Sequence, residues 1–497
     1  MCGIAAAIDL DGRTDTTLLA AELLKRLDHR GGVGTGMARK TADGLVTYKE
    51  EKKAQQYFQE ARIKGMAKKF SSAVIGHTRY ATNGGTDYTM LHPRLFRRKE
   101  LFDDHFALAF NGNIPDYEEA QRELTESGHP PRQKGDTEII GRKLLAALQQ
   151  KAKSNMTDVF TSLSSLDGVF NTIMLMEDGT VHALRDKQGR HPLVYAQKDS
   201  LVLISSETRP IEELWPGTNM YDIEPGSRLE AKAGKDLHME KVWEPNPKHC
   251  FFEWPYFADG LSVIDGSSVE QSRIHSGKIL AGMDAGSVYA DRVVGVPKSA
   301  LKAAAGYSAE SGIPLVEGIE NHPDAGRTFI DPVDRERKAE LKYIPVPELL
   351  RGKDIILIDD SLVRGLTMKK LIKKLRDAGA QRIHVRLASP AIVSPCFDGI
   401  DFSTVDELLV RKHYHGKLGV DVLPPDALAA IAEEIGADSV KYVPISSVPL
   451  TIQKDVNSLC MACITGKYCT KTGQKLAAKA EENALVQINL KNTKVIQ

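Results

Sequence analysis

From about Asp284 the chain alternates short apolar runs with helical patterns: Arg292 to Gly295 then Ser299 to Ser311, Asp354 to Ile358 then Thr367 to Ala378, then Arg382 to Ala388. Alternation of this kind implies parallel strands joined by crossover helices, which restricts this half to an α/β sheet. Residues 1 to about 245 have another rhythm. Met1 to Leu10, Val74 to Gly76, Phe106 to Phe110 and Thr172 to Met176 read as short strands between Gly and Asp turns, with helical patterns at Thr16 to Leu27 and Thr137 to Lys151. Runs of strands with few helices predict a layered α+β domain. Glu244 to Asp259, with Pro245, Pro247 and Pro255, is the expected join. The expected domains are 1–245, 246–440 and a C-terminal segment 441–497, whose polar tail after Leu476 is expected to pack only in part.

Lys plus Arg and Asp plus Glu both number 66, so no bulk charge steers the chain toward nucleic acid or a membrane surface. The longest apolar runs, around Val293 and Ile355, fall short of the roughly 20 residues a membrane span needs. No basic n-region precedes a long apolar stretch, and the expected location is cytoplasmic. Six cysteines in 497 residues are too few for a disulfide scaffold, which leaves thiols or metal ligands.

Cys2 follows the initiator Met, and removal of Met1 would leave a thiol and an α-amine on one residue. That amine has a reference pKa of about 8, so part of it is unprotonated at neutral pH and can serve the thiol as general base. Taken alone, Cys2 reads better as a small apolar residue that starts a strand. Three later segments add chemistry. Gly76-His77-Thr78-Arg79-Tyr80 offers Arg79 as a fork for a carboxylate. Phe110-Asn111-Gly112-Asn113 offers an Asn side chain and a Gly amide as an oxyanion donor pair. Gly135-Asp136-Thr137-Glu138 offers a carboxylate for an ammonium at a helix start. Singly, these are a surface Arg, an Asn-Gly turn and an N-cap.

Together, in order and spacing, they resemble the glutaminase domain of class II (N-terminal nucleophile) amidotransferases. The resemblance includes Cys2-Gly3-Ile4, His29-Arg30-Gly31, Arg185-Asp186 with Gly189 and Pro192, and Ser206-Glu207-Thr208. It implies that Cys2 attacks the glutamine amide, Arg79 holds the α-carboxylate, Asp136 the α-amine, and Asn111 with Gly112 the oxyanion.

In the second half an apolar strand delivers Asp359-Asp360-Ser361-Leu362-Val363-Arg364-Gly365-Leu366-Thr367 to the mouth of a helix. Backbone amides there suit a phosphate, and two carboxylates suit ribose hydroxyls or magnesium, although an ordinary βα turn can look the same. The pattern resembles the phosphoribosyl pyrophosphate (PRPP) loop of type I phosphoribosyltransferases, with Asp359, Asp360, Ser361, Arg364, Gly365 and Thr367 as the implied PRPP and magnesium residues. Gly295-Val296-Pro297, Ala304-Ala305-Gly306-Tyr307, Ser311-Gly312-Ile313-Pro314, Gly326-Arg327-Thr328-Phe329-Ile330 and Gly399-Ile400-Asp401 extend the likeness over about residues 1 to 470.

The whole chain is thus similar to the glutamine PRPP amidotransferase family. The expected fold is a four-layer αββα N-terminal-nucleophile domain followed by an α/β type I phosphoribosyltransferase domain. The expected reaction transfers ammonia from glutamine to PRPP, giving 5-phosphoribosylamine at the first step of de novo purine synthesis. A homo-oligomer with nucleotide feedback inhibitors is implied as well. Departures cluster on the acceptor side. Leu366 stands for a Thr, Asn321-His322-Pro323-Asp324 for a Lys-Asn-Arg-Tyr lid, Lys298 and Ala300 for an Asp and a Gly, and Asp259-Gly260-Leu261-Ser262 for Arg-Pro-Asp-Ser. Ala339 and Glu340 interrupt the basic run after Arg337. Two alternatives therefore stand beside the main expectation: a different phosphosugar acceptor, and a PRPP- or nucleotide-sensing binding protein.

Cys460-Met461-Ala462-Cys463 alone leaves redox, zinc and no ligand all open. The resemblance places Cys250, Cys396, Cys460 and Cys463 where cluster-bearing members carry ligands, implying a 4Fe-4S cluster of structural role; four-Cys zinc and unligated thiols are the alternatives. Cys469 has no assigned place.

Overall fold

The computed structural model describes every residue except 81–87, 98–104, 151–154, 322–342, 400–403 and 496–497, with side chains omitted also at 150 and 485–495. The lid positions His322 to Asp324, the segment 326–330, Arg337, Ala339, Glu340, Ile400 and Asp401 lie outside the described residues. The chain forms two units. The first is Met1–His249 with Val263–Asp265 and Asp398–Ile400; the second is Cys250–Ser262, Gly266–Phe397 and Asp401–Gln497.

In the first unit the strands are β1 (Gly3–Asp9), β2 (Gly34–Thr41), β3 (Gly44–Glu50), β4 (Ala73–Arg79), β5 (Arg94–Phe96), β6 (Phe106–Asn113), β7 (Val169–Met176), β8 (Val181–Arg185), β9 (Val194–Lys198), β10 (Leu201–Ser205), β11 (Met220–Asp222), β12 (Ser227–Ala231) and β13 (His238–Lys241). They build two sheets, ordered β11-β9-β10-β1-β4-β2-β3 and β13-β12-β8-β7-β6-β5. The period of two sorts the side chains. Ile4, Ala6 and Ile8 of β1 join Ala107, Ala109, Ile173 and Leu175 of the other sheet, while Ala5 and Ala7 face Ala20, Leu23, Leu24 and Leu27 around helix α1 (Thr17–Arg26). On the far side, Phe106, Leu108 and Phe110 of β6 pack on Ile139, Ile140 and Leu144 of helix α2 (Asp136–Gln150). Helix, sheet, sheet and helix therefore stack in four layers, as expected. Each buried Leu, Ile or Phe contributes about 1.5–3 kcal/mol to holding them. Helices at Ala54–Tyr57 and Glu60–Ala67 have no counterpart in the sequence reading. Their stretch is largely polar and the second buries only Ile63 and Met66, too few apolar positions to set a period.

The second unit carries a parallel sheet of β14 (Arg292–Gly295), β15 (Leu315–Val316), β16 (Ile355–Asp359), β17 (Ile383–Leu387) and β18 (Ser439–Tyr442), in the order β15-β14-β16-β17-β18. Ile355 to Ile358 are fully buried, which explains their unbroken apolar run. Helices α3 (Leu301–Ser311) and α4 (Leu366–Asp377) follow β14 and β16. The tail after Leu476, expected to pack in part, lies in a helix from Lys471 to Val495.

Candidate active site

Cys2 sits just before β1, whose pairing with β4 sets Gly3 opposite Thr78 and so brings the end of β4 to Cys2. The Tyr80 N–H points at Cys2 Sγ from 3.5 Å, and the Cys2 N–H donates to Asn111 Oδ1 at 3.0 Å. The Cys2 carbonyl accepts from Arg30 Nε at 3.3 Å. Arg30 in turn is paired with Glu207, which also meets His29 Nε2 at 2.8 Å. Burial pushes the Glu207 carboxyl up, but the charges and hydrogen bonds of His29 and Arg30 prevail and hold it well below the usual carboxylate range.

Asn111 is 1% exposed, and while its Oδ1 engages Cys2 its Nδ2 has no hydrogen-bond partner among the described residues. A buried donor left unsatisfied is costly in the resting state and is ready for a charge that develops later. Gly112 follows on β6, where a Cβ would lie 1.9 Å from the Val169 carbonyl oxygen of β7, so only glycine lets the two strands pair here. Arg79, the last residue of β4, is 5% exposed.

Asp136 opens α2, its carboxylate receiving the Ile114 N–H from the segment just after β6. Burial raises its carboxyl to about 6, with Arg94 pulling in the opposite direction. His77 on β4 meets the Phe110 carbonyl through Nε2 at 3.1 Å, and His92 Nε2 lies 2.7 Å from Thr137 Oγ1. Burial holds both rings neutral, His77 at about 3. The first unit thus gathers Cys2, Asn111 and Tyr80 directly, with Asp136 tied to β6 through Ile114. His92 was missed by the sequence reading, where it is one His before Pro93; the Arg30–Glu207 pair was quoted as motif without a role.

In the second unit, β16 ends at Asp359, whose Oδ1 accepts the Asp360 N–H at 2.8 Å. Asp360 is nearly buried and accepts from the hydroxyls of Ser361, at 2.6 Å, and Ser299. Gly365 caps α4 with φ +82°, a conformation other residues rarely adopt. Arg364 turns to Glu407, with Nε 2.9 Å from Oε2. Thr367 is half-buried in the first turn of α4, and Leu366 is 41% exposed.

Cys460 and Cys463 are buried, Cys250 and Cys396 half-buried. Burial and then the Cys460 and Cys396 thiols push Cys250 well above the usual thiol range; burial followed by Cys396, Cys250 and Cys460 does the same to Cys463. Four thiols from three segments are therefore electrostatic neighbours. Among the described residues no three His, Cys, Asp or Glu side chains are grouped closely enough to hold a single metal ion. Cys469 packs beside Cys460, Tyr468 and Phe397.

Two facing antiparallel sheets with a cysteine at the head of one, a buried amide at its side and a parallel-sheet unit downstream define an N-terminal-nucleophile amidotransferase joined to a phosphoribosyltransferase-type domain. A family model described as a glutamine amidotransferase domain matches residues 99–213. The amidophosphoribosyltransferase of Methanocaldococcus jannaschii is 33% identical over 488 residues, covering 95% of this chain and 98% of that one. That of Bacillus subtilis is 32% identical over 458 residues, covering 91% of each. The solved B. subtilis glutamine PRPP amidotransferase, complexed with ADP and GMP, superposes with a TM-score of 0.80 at 30% identity, covering 95% of this chain and 98% of that one. The chain belongs to the amidophosphoribosyltransferase family.

Proposed function

We propose that the first unit hydrolyses glutamine at Cys2 and that the second uses the ammonia to displace pyrophosphate from C1 of PRPP, forming 5-phosphoribosylamine. The observation that carries this reading is the two-ended use of Asn111: one end holds the Cys2 nitrogen while the other is buried and has no partner among the described residues. Once Met1 is removed that nitrogen is an amine. It takes the thiol proton as Sγ attacks the amide carbon, and the new oxyanion meets Asn111 Nδ2 and the Gly112 amide. Collapse breaks the C–N bond, the amine returns the proton to the departing ammonia, and water cleaves the thioester to glutamate. Arg79 holds the substrate carboxylate and Asp136 its ammonium.

At the second unit the ammonia nitrogen bonds to C1 as the C1–O bond breaks and pyrophosphate leaves with the electron pair. Asp359 and Asp360 face the ribose hydroxyls or a magnesium ion, while Ser361, Gly365 and Thr367 cradle the phosphate; Arg364 joins them on release from Glu407. Magnesium, when bound, offsets pyrophosphate charge. The all-thiolate set of Cys250, Cys396, Cys460 and Cys463 suits a 4Fe-4S cluster, whose ligands each bind a different iron and so stand farther apart than four on one zinc. Such a cluster supplies a structural staple. Nucleotide feedback is expected by kinship with the ADP- and GMP-bound enzyme, and a homo-oligomer is the assembly the family resemblance implies. No helix among the described residues is long and apolar enough to cross a membrane, and a cytoplasmic location accords with that.

The test is a reaction with glutamine, PRPP and magnesium under anaerobic conditions, measuring glutamate and pyrophosphate together. Equal yields support the reading, and Cys2→Ala should abolish the glutamine-dependent reaction while sparing the one driven by free ammonia. If PRPP is neither consumed nor stimulatory, a different phosphosugar acceptor takes its place; exposed Leu366 and Lys298 beside the cradle favour that second reading.

A further inference from the structure

Alternate residues of the segment that runs into β5 all reach the start of α2. His92 Nε2 lies 2.7 Å from Thr137 Oγ1, Arg94 donates to the Lys134 carbonyl through Nη1 and Nη2 at 3.1 Å, and the Phe96 ring covers Gly141 so closely that a Cβ there would stand 2.0 Å from it. Within β5 the period of two puts Arg94 and Phe96 on one face, along which α2 lies, and His92 reaches the same helix from just before the strand. On the other side, β5 pairs with β6, with Arg94 opposite Leu108.

His92 also makes a second contact. Its ring centroid is 4.4 Å from that of His77, which belongs to β4 and meets the Phe110 carbonyl, one residue before Asn111. A carbonyl only accepts, so the proton of His77 sits on Nε2. Among the described residues the Nδ1 atoms of both rings are buried without hydrogen-bond partners, an arrangement that hydrophobic packing alone would fill more cheaply with carbon. Phe110, His77, His92 and Thr137 form one buried line from the residue beside Asn111 to the residue beside Asp136.

We infer that His92 and His77 are positioning residues for the glutamine site: a stacked imidazole pair fixes the carboxylate of Asp136 relative to the oxyanion amide of Asn111. This rests on the glutaminase reading proposed above. The consequence is a division of labour. Through Thr137, His92 sets Asp136, which would grip the α-ammonium equally in ground and transition states, so its loss raises KM for glutamine. Through Phe110, His77 sets Asn111, which would act only when the oxyanion forms, so its loss lowers kcat.

The experiment measures glutamine kcat and KM for His92→Ala, His92→Gln, Thr137→Val, His77→Ala and His77→Gln in the full-length protein, with melting temperatures alongside. Glutamine's amide nitrogen can take the place of imidazole Nε2, and Val keeps the shape of Thr without its hydroxyl. His92→Ala and Thr137→Val should each raise KM about tenfold or more with kcat nearly kept, and His92→Gln should restore most of it. His77→Ala should lower kcat about tenfold or more with KM nearly kept, again with partial rescue by Gln. If the two histidines shift kcat and KM alike, if Gln rescues neither, or if melting temperature falls while both constants hold, the positioning role is wrong. If His92→Ala does not fold, Thr137→Val alone decides the KM arm, and His77→Gln against wild type the kcat arm. Cys2→Ala run in parallel separates the causes: retained glutaminase activity there overturns the nucleophile assignment, whereas its loss with unchanged histidine variants overturns only this inference.

Discussion

Arg30 Nη1 lies 2.5 Å from Glu207 Oε1, with both side chains fully buried, and the same guanidinium reaches the Cys2 carbonyl through Nε. Cys2 is thus moored to an ion pair that closes a sequence gap of 177 residues. Glu207→Gln should leave Arg30 buried without its counter-charge and cost about 3–5 kcal/mol. The measurement is denaturant unfolding of the two proteins. Glu207 has a depressed carboxyl, so its contribution is fully present above the unfolded value of about 4.3 and is lost as pH falls toward the folded one. Wild type should therefore lose stability below about pH 4 more steeply than the variant.

Asp136 behaves in the opposite sense. Its carboxyl is raised to about 6 by burial, so the folded chain holds a proton there that the unfolded chain has already released, and stability falls as pH rises from about 4 through 6. Asp136→Asn should therefore gain up to about 2–3 kcal/mol at neutral pH. The same variant should bind glutamine poorly. In the wild type the ammonium partner is lost on protonation, so KM for glutamine should climb about tenfold per unit as pH falls below 6. A pH-independent KM between 5 and 7 would remove Asp136 from the ammonium site.

What the sequence made legible follows physical range. Cys2, Arg79, Asn111 and Asp136 each sit at a strand end or helix start whose local pattern is written in a few consecutive residues, and the strand period around Phe106 to Phe110 survives as β6. The unbroken run Ile355 to Ile358 likewise declared a doubly covered strand. Pairings across long gaps carry no local mark. Asp265, held by Arg185 at 2.7 Å, and Asp398, held by Arg190 at 2.5 Å, return to the first unit from beyond the expected join. Arg364, which the resemblance implies as a PRPP residue, also pairs with Glu407, 43 residues on.

Asn111→Ala should lower kcat for glutamine hydrolysis by about 10²–10³ while changing KM little, because its Nδ2, without a partner among the described residues, is the donor the proposed mechanism gives to the oxyanion. Steady-state kinetics of glutamate formation read this directly. Gly112→Ala is the harsher change. Its Cβ meets the Val169 carbonyl at 1.9 Å, so β6 and β7 must separate, and both stability and glutaminase activity should fall.

The thiols offer the last prediction. Burial and the neighbouring thiols raise the proton affinity of Cys250 and Cys463, a cost that a bound cation-rich centre would relieve by taking them as thiolates. Anaerobically purified protein should contain about four iron and four sulfide per chain. Ser at Cys250, Cys396, Cys460 or Cys463 should lower that content and the melting temperature together, because the staple ties three chain segments. Cys469→Ser should leave the iron intact, since that thiol packs beside the group without belonging to the set of four. One zinc per chain, lost in the same four variants, would replace the cluster by a structural zinc site. Full stability with neither metal would make the four thiols ordinary core residues, leaving their mutual repulsion avoided simply by staying protonated.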